Sequence, residues 1–205
     1  MDTRKRQIED VASTLFSERG YAATSVRDIA RALDLQGGSL YAHITSKEDV
    51  LWNIVSRAAE RFHAAARPIA NSTESASERV RGMARAHVQV VTDDIEHANV
   101  FLHEWRFLGP ERRTAIARQR DAYEAYFRAV IAEGMANGEF RVGEPKMAGL
   151  GIISALNGIA QWYRPHGPLA PDAIANAFAD LFLRGLSVPQ TDPATGPHCQ
   201  WRDDA

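Results

Sequence analysis

Residues 24–51, TSVRDIARALDLQGGSLYAHITSKEDVL, form the stretch that most constrains the fold of this chain. Thr24 and Ser25 place hydroxyl groups where a helix would begin, and apolar residues then recur with helical spacing on one face. These apolar residues are Val26, Ile29, Ala30 and Leu33. The pattern stops at Asp34, and a second short helix is predicted to begin at Gln36. Two short helices joined by so tight a turn predict a helix-turn-helix.

The start of the second helix is unusually bare. It carries Gln36, Gly37, Gly38 and Ser39, which are small or polar. A helix that only packs within a hairpin would place apolar residues there, whereas a helix that enters a major groove needs clearance and hydrogen-bonding groups. The pattern therefore favours a DNA-reading helix over a hairpin that only packs.

Another helix is predicted before this pair, over about residues 3–19, with Gly20 as its C-terminal stop. The three helices would share a small core made of Leu15, Phe16, Val26, Ile29, Leu40 and Ile44. Because so small a unit buries little surface, it is expected to depend on the rest of the chain. We place this helix-turn-helix domain at residues 1–46.

The rest of the chain is predicted to be helical, with no convincing strand. A long helix begins at Lys47, after the hydroxyl of Ser46, and is expected to end near Arg67 because Pro68 follows. Further helices are predicted over residues 80–91, 95–102, 111–137, 145–163 and 171–185, with Gly109 and Pro110 ending the second of these. The helical body spans residues 47–187, and residues 188–205 are expected to be a flexible tail.

Composition excludes several classes of protein. The net charge of −2 is not that of a protein that coats nucleic acid. The longest apolar run, near residues 148–160, is shorter than the roughly 20 residues that cross a bilayer, and no signal peptide is evident. The lone Cys199 cannot form an internal disulfide, which suits a reducing compartment. We therefore expect a cytoplasmic protein that does not enter a membrane.

With these residues in view, the N-terminal part resembles the tetracycline-repressor (TetR) family of bacterial transcription regulators. The Gly-Ser-Leu-Tyr-x-His and Ser-Lys-Glu pieces stand at the family's spacing. The matching residues are Ile8, Ala12, Leu15, Phe16, Gly20, Tyr21, Thr24, Ile29, Ala30, Gly38, Ser39, Leu40, Tyr41, His43, Lys47, Glu48 and Leu51. There are two departures: Ile44 replaces the usual Phe but stays apolar, and Ala42 replaces a common His or Lys that would contact phosphate.

The resemblance implies an all-α homodimer of about nine helices per chain. Its N-terminal three-helix domain would bind a palindromic double-stranded DNA operator, and its C-terminal domain, residues 47–187, would bind a ligand and dimerise. The chain would act as a repressor that a small-molecule effector releases from the operator, and no cofactor is expected. The alternative is a helical carrier or sensor of small molecules whose helix-turn-helix is vestigial.

The predicted DNA-binding residues are Thr24, Ser25, Arg27, Gln36, Gly37, Ser39, Tyr41, His43 and Lys47. Tyr41, His43 and Lys47 resemble the family's phosphate-contacting positions, although Tyr41 could instead be a packed core aromatic. Gln36 could pair with an adenine edge. Arg27 could reach a phosphate or a guanine, or be an ordinary solvated arginine.

A ligand pocket in a helical bundle needs apolar walls and a few inward polar groups. The candidates are His87, His103, Trp105, Arg106, Tyr123, Phe127, Asn157, Gln161 and Trp162. Each one alone is more typical of core packing, but the set is more than packing requires. The pieces at residues 103–108, 133–141 and 162–186 resemble a branch of the family in which many members respond to acyl-CoA thioesters. Arg106 is the residue expected to meet the phosphates of such a ligand.

Small residues crowd the helix that begins at Pro145. Because glycine inside a helix costs about 1 kcal/mol relative to alanine, close approach of another helix would explain them. With the final helix they would form a four-helix interface across a two-fold axis, although tight packing within one subunit explains them nearly as well. The predicted dimer interface comprises Gly151, Ala155, Gly158, Phe178, Leu181 and Phe182.

No catalytic site is predicted. His97, His103 and Glu104 do not stand at a metal-ligand spacing, and no Gly-x-Ser-x-Gly or Gly-rich phosphate loop is present. Cys199 has no plausible activating partner. We therefore expect neither an enzyme nor a metal site.

Overall fold

The computed structural model describes residues 3–35, 40, 42–141 and 143–187, and in these ranges the fold is all-helical. The α-helices are α1 Thr3–Arg19, α2 Val26–Ala32, α3 Lys47–Ala70, α4 Ala76–Asp93, α5 Ile95–His103, α6 Pro110–Ala136, α7 Pro145–Trp162 and α8 Pro171–Leu186. A short 3₁₀ helix, Trp105–Phe107, lies between α5 and α6. The predicted site residues Gln36, Gly37, Ser39 and Tyr41, and the predicted tail with Cys199, lie outside the described residues. The all-α prediction is confirmed.

Local signals explain where the N-terminal helices begin and end. Gly20 has a φ of +84°, which glycine adopts without strain, and it ends α1 as predicted. The hydroxyl of Ser25 accepts a hydrogen bond from the backbone N–H of Asp28, whose carboxylate accepts from the backbone N–H of Ser25. This reciprocal cap starts α2. Leu40 and Ile44 are buried, so the departure at Ile44 keeps an apolar core residue.

The long helix α3 continues past Pro68 to Ala70, so the predicted end near Arg67 was wrong. Proline removes one backbone N–H, but Pro68 and Ala64, whose carbonyl would accept that bond, both lie on the exposed side of the helix. Ala66 and Ala70 are buried and hold the last turn. The apolar contacts of the last turn therefore outweigh one missing hydrogen bond.

The residue Pro110 begins α6 and does not end the preceding helix, which is a second correction. Proline suits the first helical position because its φ is already helical and its missing N–H would have no partner there. The α5 helix ends earlier, at His103, and the chain turns through the 3₁₀ helix before α6. This turn brings residues 104–109 against the N-terminal helices.

The helix α3 lies at the centre of the molecule, in contact with α1, α4, α5 and α6. One continuous cluster of buried residues extends from Ile8 and Phe16 in α1 to Phe127 in α6 and Leu156 in α7. Phe140 and Ser187 form one isolated antiparallel bridge in the described part of the chain. Among the described helices, none has both the length and the apolar character that a membrane span needs.

Candidate functional site

The N-terminal helices place the predicted DNA-contacting residues in two different environments. Ser25 and Arg27 are exposed at the start of α2, and His43 is half-buried. Thr24 is buried, and its hydroxyl donates to the carbonyls of Leu15 and Gly20 at 3.3 and 3.0 Å. This hydroxyl therefore stabilises the end of α1, and contact of Thr24 with DNA stays a prediction.

The ammonium group of Lys47 also makes hydrogen bonds within the protein. Its Nζ donates to the carbonyls of Tyr21 and Thr24 at 2.8 and 2.7 Å and lies 4.1 Å from the centre of the Tyr21 ring. Burial lowers the pKa of Lys47. The first residue of α3 is thereby attached to the link between α1 and α2.

A hydrogen-bonded joint connects the N-terminal helices to the body. The backbone N–H of Tyr21 donates to the Glu104 carboxylate at 2.9 Å, and the Tyr21 ring stacks on Phe107 at 5.6 Å. On α3, the Glu48 carboxylate accepts from the backbone N–H of Gly109 at 3.0 Å. The residues of this joint are close in space but distant in sequence, and no local pattern predicted them.

Charge strengthens the same joint. Arg112 at the start of α6 donates to Asp49 and lies 3.5 Å from Glu48. The hydrogen bond from Arg112, with another from Ser46, holds the pKa of Asp49 below its usual range. Both carboxylates occupy the first turn of α3, where the helix dipole favours negative charge.

A second polar cluster joins α1, α3 and α5. Arg57 pairs with the buried carboxylate of Glu9 at 2.9 Å and with the Nε2 atom of His97 at 2.6 Å. The other ring nitrogen of His97 lies 2.7 Å from Asp94. Burial raises the pKa of Glu9, and Arg57 opposes that effect. Polar contacts therefore connect the body to the N-terminal helices at two places.

The body contains a cavity of about 470 Å³ between α3, α4, α5, α6 and α7. Ligand pockets in proteins measure roughly 300–1,000 Å³, so this cavity is of ligand size. Its lining residues are Ala59, Phe62, His63, His87, Phe101, Gln119, Arg120, Asp121, Tyr123, Glu124, Arg128, Lys146, Leu150, Ile153 and Asn157.

Two neutral polar side chains form the buried wall of this cavity. The Tyr123 hydroxyl lies 3.1 Å from Nδ1 of His87, and both side chains are buried. Burial lowers the pKa of His87 to about 3, an effect that Asn157 opposes, and burial raises the pKa of Tyr123. At neutral pH the histidine is therefore uncharged and the phenol keeps its proton.

The rim of the cavity is charged. Arg128 and Lys146 are exposed, with Glu124 3.6 Å from Arg128. A Cβ at the buried Gly149 would lie 3.5 Å from the backbone nitrogen of Arg128, an ordinary van der Waals distance, so α7 packs directly against α6 at this point. The close approach brings Lys146 and Arg128 to the same end of the cavity.

A third cation, Arg120, lies deeper. Its guanidinium is 5.2 Å from the ring centre of Phe101 and 5.3 Å from that of Trp105. Burial lowers the pKa of Arg120. Among the described residues no carboxylate forms an ion pair with it. Arg120 can therefore offer its donors to an anionic group of a ligand.

The structure gathers some of the predicted pocket residues and separates others. His87, Tyr123 and Asn157 line the cavity. Phe127 is buried behind Tyr123, and Trp105 reaches the cavity through Arg120.

The remaining four predicted pocket residues lie away from the cavity. His103 Nδ1 bonds to the carbonyl of Asn99, and Gln161 is exposed. Trp162 stacks on Phe178. Arg106 is exposed and donates to the carbonyl of His103, because the 3₁₀ helix turns its side chain outward.

The cavity residues that the sequence prediction missed lie mostly on two helix faces. On α6 these are Gln119, Arg120, Asp121, Glu124 and Arg128, of which Arg120, Glu124 and Arg128 recur at intervals of four residues. On α7 they are Lys146, Leu150 and Ile153. The four-residue spacing of the α6 set beside Tyr123 was a usable signal, but charged residues at that spacing are also typical of a solvated helix face.

The predicted dimer residues lie on an exposed face of α7 and α8. A Cβ at Gly151 or Gly158 would meet nothing within 4 Å, in contrast to Gly149. Leu181 is 64% exposed. Phe178 and Phe182 are partly buried, with ring centres 5.8 Å apart. Packing within the described part of one subunit therefore does not require glycine at residues 149, 151 or 158.

Comparison with known proteins agrees with this arrangement. The family model for bacterial regulatory proteins of the tetR family matches residues 8–52, and the model for the tetracyclin repressor-like C-terminal domain matches residues 73–186. The HTH-type transcriptional repressor KstR2 of Rhodococcus jostii is 27% identical over 190 residues, which cover 91% of this chain and 92% of that protein.

Two solved structures are similar over most of their length. The TetR family regulator PfmR from Thermus thermophilus is 35% identical, with a TM-score of 0.80, over 88% of this chain and 99% of that one. AibR, solved in complex with isovaleryl coenzyme A and operator DNA, is 26% identical, with a TM-score of 0.78, over 87% and 97%. The chain belongs to the tetR family and is a transcriptional regulator rather than an enzyme.

Proposed function

We propose that this chain is a homodimeric repressor that binds a palindromic operator and leaves it when an acyl-CoA thioester enters the cavity. The observation that carries the proposal is the position of the segment 104–105. Glu104 holds the backbone of Tyr21 in the N-terminal helices, and its neighbour Trp105 packs on the cavity residue Arg120. A ligand that moves Arg120 therefore also moves Trp105, whose chain neighbour Glu104 is part of the joint.

The DNA-reading surface consists of the exposed start of α2 and the predicted second helix. Ser25 and Arg27 are accessible there, and the Arg27 guanidinium and the Ser25 hydroxyl can contact phosphate oxygens. Gln36, Gly37, Ser39, Tyr41 and His43 complete the proposed set. Thr24 and Lys47 support this surface from behind, through the hydrogen bonds to the link between α1 and α2.

Dimerisation uses the exposed face of α7 and α8. Open space at Gly151 and Gly158 allows the α7 helix of a second copy to approach closely, and Leu181 adds exposed apolar surface. Two copies related by a two-fold axis would present two reading helices to successive major grooves, which lie roughly 34 Å apart. A repressor working on chromosomal DNA in bacteria acts in the cytoplasm.

The charge and size of the cavity support an acyl-CoA effector. The rim cations Arg128 and Lys146 and the deeper Arg120 suit phosphate groups, and the apolar wall with Phe62 and Leu150 suits an acyl chain. The similar protein AibR was solved with isovaleryl coenzyme A. A CoA thioester whose phosphate attracts the Arg120 guanidinium would weaken the packing of that guanidinium on the Trp105 ring.

Effector binding releases DNA only if the ligand binds the released state more tightly than the DNA-bound state. Displacing Trp105 changes the position of Glu104, and with it the Tyr21 backbone that Lys47 also holds. The spacing of the two reading helices then no longer fits the operator. The DNA-bound and released states differ in this joint.

The test uses the full chain and a random duplex pool from which bound DNA is selected. Fluorescence anisotropy of the selected duplex, with and without CoA thioesters of short, branched and cyclic acids, measures affinity and release. We expect a palindromic site, strong salt dependence and release by at least one thioester. Absence of salt-dependent DNA binding would favour the carrier or sensor instead. DNA binding that no thioester weakens would exclude the effector class.

A further inference from the structure

The buried end of the cavity holds a chain of polar groups with a defined direction. The Tyr123 hydroxyl, which keeps its proton, has Nδ1 of His87 as its hydrogen-bond partner among the described residues. The tautomer that gives this hydroxyl proton an acceptor has Nδ1 unprotonated and the ring proton on Nε2. The far side of His87 is a donor.

That donor has no hydrogen-bond partner among the described residues. The Nε2 atom of His87 is buried, and the whole residue is 2% exposed. Asn157 lies close enough to influence the ring, but it makes no well-formed hydrogen bond with Nε2. A buried donor without an acceptor is destabilising, by about 1–3 kcal/mol in typical proteins. The position therefore calls for an acceptor.

The neighbouring histidine in the cavity is different. The ring nitrogens of His63 lie 3.2 Å from the Tyr126 hydroxyl and 2.9 Å from the carbonyl of Gln119. Both nitrogens of His63 are therefore used by the protein. Within the described part of the chain, His87 is the cavity histidine with an unused ring nitrogen, and that nitrogen has almost no accessible surface, so a ligand reaches it through a neighbouring side chain.

The cavity is long enough to separate this donor from the charged rim. Lys146, Leu150, Ile153 and Asn157 line it from one face of α7. Lys146 and Asn157 are eleven positions apart in the sequence. At 1.5 Å per residue, they lie about 16 Å apart along the helix. A ligand with phosphates at the rim thus reaches His87 and Asn157 with a part of the molecule well beyond them.

We propose that Asn157, oriented by His87, binds a neutral carbonyl oxygen of the effector at the buried end of the cavity. The Asn157 amide oxygen accepts from His87 Nε2, which gives that donor its acceptor, and the Asn157 amide N–H then donates to the ligand oxygen. The oxygen belongs either to the thioester or to a ketone further along the acyl group. This inference rests on the proposed acyl-CoA effector, and it assigns the residues that select it.

Three CoA derivatives of one ring size separate the two sources of the oxygen. They are cyclohexanecarbonyl-CoA, its 4-oxo derivative, and the S-cyclohexylmethyl thioether, which lacks the thioester carbonyl. Calorimetry on the full chain measures the affinity for each. If the thioester oxygen is bound, the thioester binds about tenfold more tightly than the thioether. If a ketone is bound, the 4-oxo derivative has a similar advantage over the unsubstituted thioester.

The variants Asn157→Leu and His87→Phe should abolish that preference, bringing the ratio near one. Asn157→Leu is the safer variant, because His87→Phe leaves the Tyr123 hydroxyl without its acceptor. The control His63→Phe should weaken all three ligands by a similar factor and keep the ratio. Equal affinity of the unaltered protein for all three ligands, or a preference that survives both variants, would overturn this assignment alone. If none of the three binds, the acyl-CoA proposal fails and this inference fails with it.

Discussion

The backbone N–H of Tyr21 donates to the Glu104 carboxylate at 2.9 Å, a contact between residues 83 positions apart in the sequence. Tyr21 belongs to the link between α1 and α2, whereas Glu104 lies directly before the 3₁₀ helix that carries Trp105. Since Trp105 packs on Arg120 in the cavity wall, this hydrogen bond connects the ligand cavity directly to the link between α1 and α2.

Replacing Glu104 tests this connection. Glu104→Ala leaves the N–H of Tyr21 without its charged acceptor, so we expect a loss of about 1–2 kcal/mol in the free energy of unfolding. We also expect the effector to release DNA less completely, because its movement of residues 104–105 no longer reaches Tyr21. Urea denaturation gives the first quantity, and anisotropy titration with the selected duplex gives the second. The exposed Glu60 on α3 supplies the control, since Glu60→Ala should leave both unchanged.

Thr24 and Arg27 were both predicted to contact DNA, and the structure gives them different environments. Thr24→Val removes a buried hydroxyl that donates to two carbonyls, so we expect a loss of about 1–2 kcal/mol in stability. Arg27→Ala should leave stability almost unchanged and weaken operator binding by about 1–3 kcal/mol. Thermal denaturation and DNA titration of both variants separate the two roles. A Thr24→Val protein that stays stable but no longer binds DNA would show that the Thr24 hydroxyl contacts DNA.

Four helix starts were predictable because each has a local cause, whereas the ends of α3 and α5 were not. Ser25 with Asp28, Ser46 before α3, and the prolines at the starts of α7 and α8 act within one turn of the chain. The cavity was only partly predictable, because packing between distant helices decides which side chains meet. Arg106 was predicted to meet the phosphates of an acyl-CoA, from its charge and its place in the segment 103–108.

The structure instead brings Arg120, from the middle of α6, onto the Trp105 ring. Sequence proximity to an aromatic residue could not reveal this contact. The direction in which residue 106 points depends on the 3₁₀ turn, and no residue type in that segment specifies such a turn.

Substitutions of Arg120 and Arg106 should have different effects on effector binding. Arg120→Gln removes a cavity cation that has no carboxylate partner among the described residues, so we expect the affinity for a CoA thioester to fall about tenfold or more. Arg106→Gln alters an exposed side chain outside the cavity and should leave that affinity unchanged. Calorimetry with one thioester on both variants decides the matter. Equal losses would mean that the ligand extends beyond the cavity to residue 106.

Burial of His87 makes stability depend on pH. Its pKa is lowered to about 3 in the folded chain, against about 6.5 when unfolded. The unfolded state therefore binds the proton more readily, and stability falls as the pH drops from about 6.5 toward 3. Between pH 7 and pH 5 the expected loss through His87 is about 2 kcal/mol in the free energy of unfolding.

Urea denaturation at the two pH values measures this loss. His87→Phe should show a pH dependence smaller by that amount, whatever its stability at pH 7. His166→Gln, at an exposed position between α7 and α8, is the matched control and should retain the full dependence. If His87→Phe and the unaltered protein lost stability in parallel, the ring would be accessible to protons in the folded state.

The exposed Leu181 on α8 tests the dimer. In a dimer formed through α7 and α8, this leucine, 64% exposed in one chain, would be covered. Leu181→Glu would then bury a carboxylate in an apolar interface, and we expect the dimer to dissociate at micromolar concentration, because an unpaired buried charge is strongly unfavourable. Light scattering coupled to size-exclusion chromatography measures the mass directly.

Leu169 provides the comparison for this test, because it is 54% exposed but lies in the connection before α8. Leu169→Glu should remain dimeric. Loss of the dimer should also abolish operator binding. A monomer contacts only one half-site and lacks the affinity gained when two linked reading helices bind both half-sites. If Leu181→Glu stays dimeric and still binds the operator, the dimer interface lies on another face of the protein. Close approach of a second α7 helix would then not explain Gly151 and Gly158.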